Sequence, residues 1–220
     1  MGYNQSSFKN IELHCKNIFG KDRGNFIYLE SEKKLSELLE EMDDRGSKAV
    51  RNHMTKNMLP VIAYYLTLKN NGFSNEEAYE KTLDLSQNMA KEKAETYKKL
   101  TRLPFVYLIF KLACKKMMSQ SYPKEGWNVE WEQNNQEEIA FNMKSCVYHE
   151  TVCRYQCPEL CTVFCENDVT VFGALAPKII FKRSETIGEG KSRCDFHYYN
   201  GKRYFKDGIG LVFEEYGKNK

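Results

Sequence analysis

The amino-acid sequence has the length and composition of a globular protein. It contains 220 residues, of which 41% are hydrophobic and 13% aromatic, and its mean hydropathy is −0.64. That apolar content is enough to bury a core, which argues against a disordered chain and against a small disulfide scaffold. The 33 Lys and Arg nearly balance the 30 Asp and Glu and alternate with them over most of the chain. We therefore expect no nucleic-acid partner.

The N-terminal residues and the apolar runs predict a cytoplasmic protein. No basic flank followed by an apolar segment is present at the N-terminus, so we expect no secretory signal and thiols that stay reduced. The longest apolar run, residues 103–113, is about half of the roughly 18 residues that a membrane span requires. The sequence therefore also predicts no membrane partner.

The first half of the sequence predicts helices. Apolar residues recur at helical spacing, Pro60 allows a kink, and Ser74 with Glu77 three residues later is a capping signature. The predicted helices span residues 31–42, 47–69, 74–99 and 104–118.

The pattern changes after Pro123. Alternating segments predict a hairpin and two further strands, and two helices lie between them. The predicted strands cover residues 127–132, 138–143, 178–183 and 193–199, and the predicted helices cover 146–155 and 158–172. We therefore expect an α+β fold in which an N-terminal helical half (about 1–120) packs on a C-terminal mixed half (about 121–220) with a mainly antiparallel sheet. Both halves are expected to form a single domain of residues 1–220.

The cysteines are concentrated in the second half. Six of the eight fall within 49 residues, at positions 146, 153, 157, 161, 165 and 194. Pro158 belongs in the first turn of a helix rather than inside one, so Cys157 is placed at a junction. On the helix that follows, Cys161, Cys165 and Asp168 share one face. A buried aspartate needs partners or a proton to exchange, which makes Asp168 a candidate functional residue.

Three interpretations of these thiols stay open. The first is plain packing, because cysteine is among the most buried residue types. The second is zinc, with His149 and His197 as additional ligands, but no CxxC spacing is present and we expect neither a metal nor another cofactor. The third is a reactive thiol, either Cys146 at the start of a predicted helix or Cys194 near Arg193 and His197.

The strand over 193–199 limits which side chains can act together. Alternation places Asp195 and His197 on one face and Cys194 on the other. Cys194 and Asp195 therefore enter one pocket only if a bulge intervenes.

Several short motifs occur in an order that resembles one known family. They are CVYH at 146–149, PEL at 158–160, FCEND at 164–168, FKRSETIGEG at 181–190 and CDF at 194–196. With upstream motifs at 59–65 and 72–78 and the strand at 127–131, they resemble the L-2-amino-thiazoline-4-carboxylic acid hydrolase family after about residue 50. Members that act on the thiazoline open its ring with water and yield a carbamoyl-cysteine, so the resemblance implies a hydrolase of cysteine metabolism.

The resemblance also implies site positions. They are Cys146, Glu159, Cys165, Asp168, Thr186, Gly190, Cys194 and Asp195. Ring opening needs a nucleophile and a proton donor, for which we expect Cys165 or Cys194 and Asp168 or Asp195. Arg183 is the expected partner of a substrate carboxylate, and His149 is a further candidate for substrate binding.

Two other functions remain open. Residues 188–196 resemble the end of the small-molecule-binding domain named for 4-vinyl reductases, which implies a binding or sensing module without catalysis. A zinc-binding protein without catalysis is the third hypothesis. For the hydrolase and for the binding module, the expected partner is a small molecule.

Overall fold

The computed structural model describes residues 2–204 and confirms an α+β fold. The helices are α1 (Ile11–Phe19), α2 (Lys21–Glu41), α3 (Lys48–His53), α4 (Leu59–Asn70), α5 (Asn75–Leu100), α6 (Val106–Ser121), α7 (Val147–Arg154), α8 (Leu160–Gly173) and α9 (Gly201–Tyr204). The strands are β1 (Trp127–Asn134), β2 (Glu138–Cys146), β3 (Ile179–Lys182) and β4 (Cys194–Asn200). Residues 205–220 of the predicted mixed half lie outside the described residues.

One local signal in the sequence sets a helix end as predicted, and a second places a junction. The backbone N–H of Ser74 donates to Glu77 Oε2 at 2.9 Å, and the N–H of Glu77 donates to Ser74 Oγ at 3.2 Å. This reciprocal pair satisfies two N–H groups that α5 leaves without helical partners. Cys157 is buried and lies in the junction between α7 and α8, as the sequence predicted, but α8 begins at Leu160 rather than at Pro158.

The single helix predicted over residues 47–69 is interrupted. A π-helical segment, Met54–Met58, separates α3 from α4, and the N–H of Leu59 donates to the carbonyl oxygen of Met54. Pro60 has no N–H to donate to the preceding turn, and a π-helical turn accommodates such a gap. The sequence therefore located the irregularity but not its form.

Helix α1 and the first turns of α2 were not predicted. Their close approach depends on Gly24, where an added Cβ would lie 2.5 Å from the backbone carbonyl oxygen of Cys15. Real Cβ atoms do not approach backbone atoms so closely, so only glycine fits at this contact.

We expect Gly24→Ala to destabilise the protein by about 1–3 kcal/mol, because α1 and α2 must move apart to admit the methyl group. Thermal unfolding followed by circular dichroism measures the effect. Gly173→Ala is the matched control, since its added Cβ meets no atom within 4 Å. Equal unfolding midpoints for the two variants would contradict the close contact.

The strands form one sheet in the order β1-β2-β4-β3. Strand β4 pairs antiparallel with both β2 and β3. Phe141 lies opposite Phe196, and Phe181 lies opposite Tyr198, so these four rings share one face of the sheet.

Aromatic packing makes this face a core. Phe141 and Phe196 stack with ring centroids 5.1 Å apart. Phe110 of α6 and Phe172 of α8 contact Tyr198 at 5.2 and 5.3 Å. We call the side of the sheet that carries Phe141, Phe181, Phe196 and Tyr198 the aromatic face. Residues at the ends of β3 and β4 are therefore held against a rigid surface.

The chain divides into two compact units. Among the described residues, unit 1 contains 2–89 together with 146–167, and unit 2 contains 90–145 together with 168–204. Each unit draws on both predicted halves of the sequence, and the prediction of a single domain stays a prediction. Within residues 2–204, no helix combines the length and the apolar character that crossing a membrane requires.

Candidate active site

The predicted site residues are distributed over both units. Unit 1 holds Cys146, His149, Glu159 and Cys165. Unit 2 holds Asp168, Arg183, Thr186, Gly190, Cys194 and Asp195. Each group is described within its own unit.

An ion pair joins two of the predicted residues in unit 2. Nη1 of Arg183 donates to Oδ2 of Asp168 at 3.0 Å. Arg183 directly follows β3, its side chain is only 5% exposed, and its guanidinium carbon lies 5.5 Å from the centroid of the Phe196 ring. A guanidinium that is both paired and stacked is held in one orientation.

The environment of Asp168 favours proton exchange. Burial raises the pKa of its carboxyl group to about 6, and the positive charges of Arg183 and Lys93 oppose this rise. Its side chain is 34% exposed, so water also limits the desolvation. A carboxyl group that titrates near this pH is suited to acid/base catalysis at neutral pH.

Asp195 has a different environment from Asp168. Its carboxylate accepts hydrogen bonds from the N–H of Ser184 at 2.9 Å, the hydroxyl of Ser184 at 2.6 Å and the N–H of Glu185 at 2.6 Å. Burial opposes ionisation, but these hydrogen bonds outweigh it and lower the pKa of Asp195. The observed contacts therefore anchor the loop after β3, and they favour Asp168 over Asp195 as the acid/base.

Thr186 and Gly190 build the same loop. The hydroxyl of Thr186 donates to Glu189 Oε2 at 2.8 Å and accepts from the N–H of Glu189 at 3.1 Å. Gly190 ends this turn with a φ of +81°, a conformation that favours glycine. Both residues have structural contacts here, and their predicted roles in substrate binding stay predictions.

The loop places a hydrogen-bond donor on Cys194. The N–H of Ile187 lies 3.2 Å from the Cys194 sulfur atom, and Cys194 is 5% exposed. A backbone donor at this position would stabilise a thiolate.

The register confirms the predicted faces of β4. Cys194 lies opposite Met143, and Asp195 lies opposite Asn142, so the strand alternates without a bulge between them. Cys194 is on the aromatic face, and Asp195 is on the reverse face. The two side chains therefore do not share a face of the sheet.

His197 has a partner that the sequence did not reveal. Its Nδ1 lies 2.6 Å from Glu138 Oε1, and its Nε2 lies 3.7 Å from Asp195 Oδ2. Glu138 is 59 positions away in sequence, and only the antiparallel pairing of β2 with β4 brings it near. Imidazole and carboxylates alternate on this reverse face of the sheet.

In unit 1, the described contacts of Glu159 are structural. The hydroxyl of Tyr65 donates to Glu159 Oε1, and the hydroxyl of Thr162 donates to the Glu159 carbonyl oxygen at 2.8 Å. Burial raises the pKa of Tyr65, so this phenol stays a donor.

The remaining candidates of unit 1 are half-buried. Cys146 is the N-cap residue of α7, as the sequence predicted, and Nε2 of His149 lies 3.7 Å from the exposed Cys153 sulfur atom. Cys165 lies on α8, three residues before Asp168. Their predicted roles in catalysis and substrate binding stay predictions.

Three other cysteines have the properties of packed core residues. Burial raises the pKa of Cys15 and Cys157 to about 12 and that of Cys114 to about 11. These thiols stay protonated at neutral pH and are poor nucleophiles. Within residues 2–204, no group of three or more His, Cys, Asp or Glu side chains has an arrangement that could hold a metal ion.

The fold and this site define an α+β protein with a titrating carboxyl group beside a buried arginine. A profile of the L-2-amino-thiazoline-4-carboxylic acid hydrolase family matches residues 51–198. This match covers more than half of the chain and all ten predicted site residues, so the chain belongs to that family of hydrolases. No curated protein and no solved structure gives a significant match.

Proposed function

We propose that this protein opens the ring of a small thiazoline carboxylate, or of a related amidine-like ring, with water as the co-reactant. The observation that carries this proposal is the Asp168–Arg183 pair, in which a carboxyl group with a pKa of about 6 lies beside a buried guanidinium. Family membership supports the hydrolytic chemistry. The fork of Arg183 suits the substrate carboxylate.

The proposed nucleophile is a cysteine, with Cys194 favoured and Cys165 as the alternative. Cys194 shares the aromatic face with the Phe196 ring on which Arg183 stacks, and it has the N–H of Ile187 on its sulfur. Its thiolate adds to the ring carbon between nitrogen and sulfur, and the thiol proton passes to the Asp168 carboxylate. The ring C–S bond then breaks, and Asp168 returns this proton to the leaving sulfur.

Water completes the cycle. It attacks the same carbon while Asp168 accepts one of its protons, and the bond from carbon to the cysteine sulfur breaks. Protonation of the departing thiolate by Asp168 restores the enzyme. The product carries a carbamoyl group on nitrogen and a new thiol, and substrate plus one water accounts for all of its atoms.

Incubation of the full chain with L-2-amino-thiazoline-4-carboxylate tests the function. We expect one new thiol per substrate in a colorimetric thiol assay, and a product heavier by one water in mass spectrometry. A protein that binds this compound without forming any thiol would instead support the binding module.

Cys194→Ser is expected to lower turnover at least about 100-fold, because a serine hydroxyl is a far weaker nucleophile at neutral pH. Steady-state thiol release measures this effect. Cys114→Ser is the matched control, since Cys114 is an equally buried thiol whose high pKa excludes it as a nucleophile. Wild-type turnover in Cys194→Ser, with loss in Cys165→Ser, would assign the role to Cys165.

A further inference from the structure

Exposed apolar side chains are concentrated around α6. Seven of the large hydrophobic residues that the structure leaves exposed lie within residues 100–117, and they are Leu100, Leu103, Phe105, Leu108, Ile109, Leu112 and Met117. Leu112 is 72% exposed and Phe105 is 73% exposed. Scattered single apolar residues are normal on a protein surface, but a dense group of them indicates an interaction site.

Helix α6 is apolar on two opposite sides. Val106, Tyr107 and Cys114 are buried, and they form its inner face. Leu108 and Leu112 are one turn apart and exposed on the outer side. Packing within the described protein accounts for the inner face alone.

The segment before α6 presents its aromatic ring in an unusual way. Phe105 is the N-cap residue of α6 and has a φ of +55°. A bulky residue rarely adopts this left-handed conformation, which costs about 1–3 kcal/mol. The ring of Phe105 is nevertheless left largely exposed to solvent at the start of α6.

The charge of this segment is strongly positive. Residues 96–124 contain no Asp or Glu and seven basic residues, which are Lys98, Lys99, Arg102, Lys111, Lys115, Lys116 and Lys124. Of the 33 basic residues in the chain, 26 remain elsewhere against 30 acidic residues. The positive charge of the protein is thus concentrated where its apolar side chains are exposed. We call the seven basic residues and the seven exposed apolar residues of this segment the basic apolar surface.

We propose that the basic apolar surface binds an anionic lipid surface, with the outer side of α6 lying in the interface. Exposed Leu, Ile and Phe flanked by Lys and Arg are the composition of helices that lie on membranes. A second copy of this surface would bring like charges together. An aliphatic centre also offers little to the phosphates and bases of a nucleic acid.

The expectation of no membrane partner rested on the lack of a spanning segment. A helix that lies on the surface needs no such segment, and α6 has 16 residues where a span needs about 20. The lack of a spanning segment is therefore compatible with a helix that binds at the membrane surface.

A groove at the C-terminal end of α6 adds a second feature. It has a volume of about 630 Å³, and Tyr122, Lys124, Trp127 and Trp131 are among the residues that line it. The ammonium group of Lys115, also on this groove, lies 5.3 Å from the centroid of the Trp131 ring. Trp, Tyr and Lys are the residue types that membrane interfaces favour.

Co-sedimentation of the full chain with vesicles tests the proposal. We expect binding to vesicles of phosphatidylcholine with about one third phosphatidylserine, no binding to phosphatidylcholine alone, and release by about 0.5 M salt as charges are screened. Leu112→Gln should weaken binding roughly tenfold, since an apolar side chain no longer enters the interface. Lys116→Gln should weaken it about fivefold, the equivalent of one basic residue near an anionic surface.

Leu13→Gln is the matched control, because Leu13 is a 62% exposed leucine on α1, and its binding should equal that of the wild type. Absence of binding to the anionic vesicles would overturn the proposal. Equal binding by Leu112→Gln and the wild type would overturn it as well. A dimer in analytical ultracentrifugation that Leu112→Gln abolishes, without any vesicle binding, would assign the surface to a second copy instead.

Discussion

Replacing Asp168 with asparagine is expected to lower kcat/KM for ring opening by roughly 10²–10⁴-fold, the usual contribution of a positioned acid/base. The amide of the new side chain would keep an oxygen that accepts from Arg183, so the change removes the titrating proton and little else. Steady-state thiol release at neutral pH measures the loss. The exposed carboxylate of Asp84 on α5 supplies the control, and Asp84→Asn should retain full activity.

The pH profile separates catalysis from structure. Because the first step requires ionised Asp168, wild-type kcat/KM should rise with pH through about 6. The residual activity of Asp168→Asn should lack this limb. A variant that keeps wild-type turnover, or one that keeps the same limb, would show that Asp168 is not the acid/base.

Stability gives a second readout of the same group. The pKa of Asp168 is raised from 3.8 to about 6 in the folded protein, so the folded state holds the proton more tightly than the unfolded chain does. Its contribution to stability is therefore present below pH 4 and is lost as the pH rises to about 6. Asp168→Asn should not show this loss in urea unfolding.

Replacing Asp195 with alanine is expected to destabilise the protein by about 2–4 kcal/mol. The carboxylate accepts hydrogen bonds from Ser184 and Glu185. A single hydrogen bond to a charged group contributes about 1.5–3 kcal/mol. Contributions to one shared acceptor do not add, so the total is smaller than their sum. Water can reach Ser184, which is exposed, and it offsets part of the loss. For a chain of this size the unfolding temperature should fall by roughly 5–15 °C.

The pH dependence of this second effect has the opposite sign. Folding lowers the pKa of Asp195 below its ordinary 3.8, so the stabilisation is present above about pH 4 and is lost as the pH falls through the lowered value. The difference between wild type and Asp195→Ala should therefore shrink in acid. Ser184→Ala, which removes only the hydroxyl donor, should show a smaller effect at neutral pH.

Asp195→Ala also tests the role predicted from the sequence. Loss of ring opening without any fall in unfolding temperature would make Asp195 a catalytic residue rather than an anchor. A large fall in temperature, with activity that recovers in the folded fraction, would support the anchoring role.

Local patterns predicted the elements that short-range chemistry controls. Ser74 and Glu77 formed the predicted capping box, and Cys157 lies in the junction that Pro158 indicated, although α8 begins at Leu160. Alternation along β4 correctly separated Cys194 from Asp195. The sequence predicted a kink at Pro60 but not the π-helical segment Met54–Met58. The geometry of this segment depends on how the chain compensates for the N–H group that one proline lacks.

The candidate site could be predicted only as a set of positions. The motifs selected both Asp168 and Asp195 as candidates for the acid/base. Because both are aspartates in the same family-like pattern, the sequence does not distinguish their roles. Their environments separate them, since burial beside Arg183 raises one pKa and hydrogen bonds from the loop lower the other. No sequence pattern contains these contacts, because they depend on how α8, β3 and β4 pack.

The sequence by itself thus determined the α+β class, the family and the residues from which a site can be built. Capping, periodicity and motif order all depend on short stretches of chain. They can therefore be recognised in the sequence without a structure. Tertiary structure alone decided that Asp168 pairs with Arg183, that Asp195 anchors a loop, and that α6 keeps an apolar side in solvent. The physical reason is that burial and charge are properties of surroundings, which distant segments create only once the chain has folded.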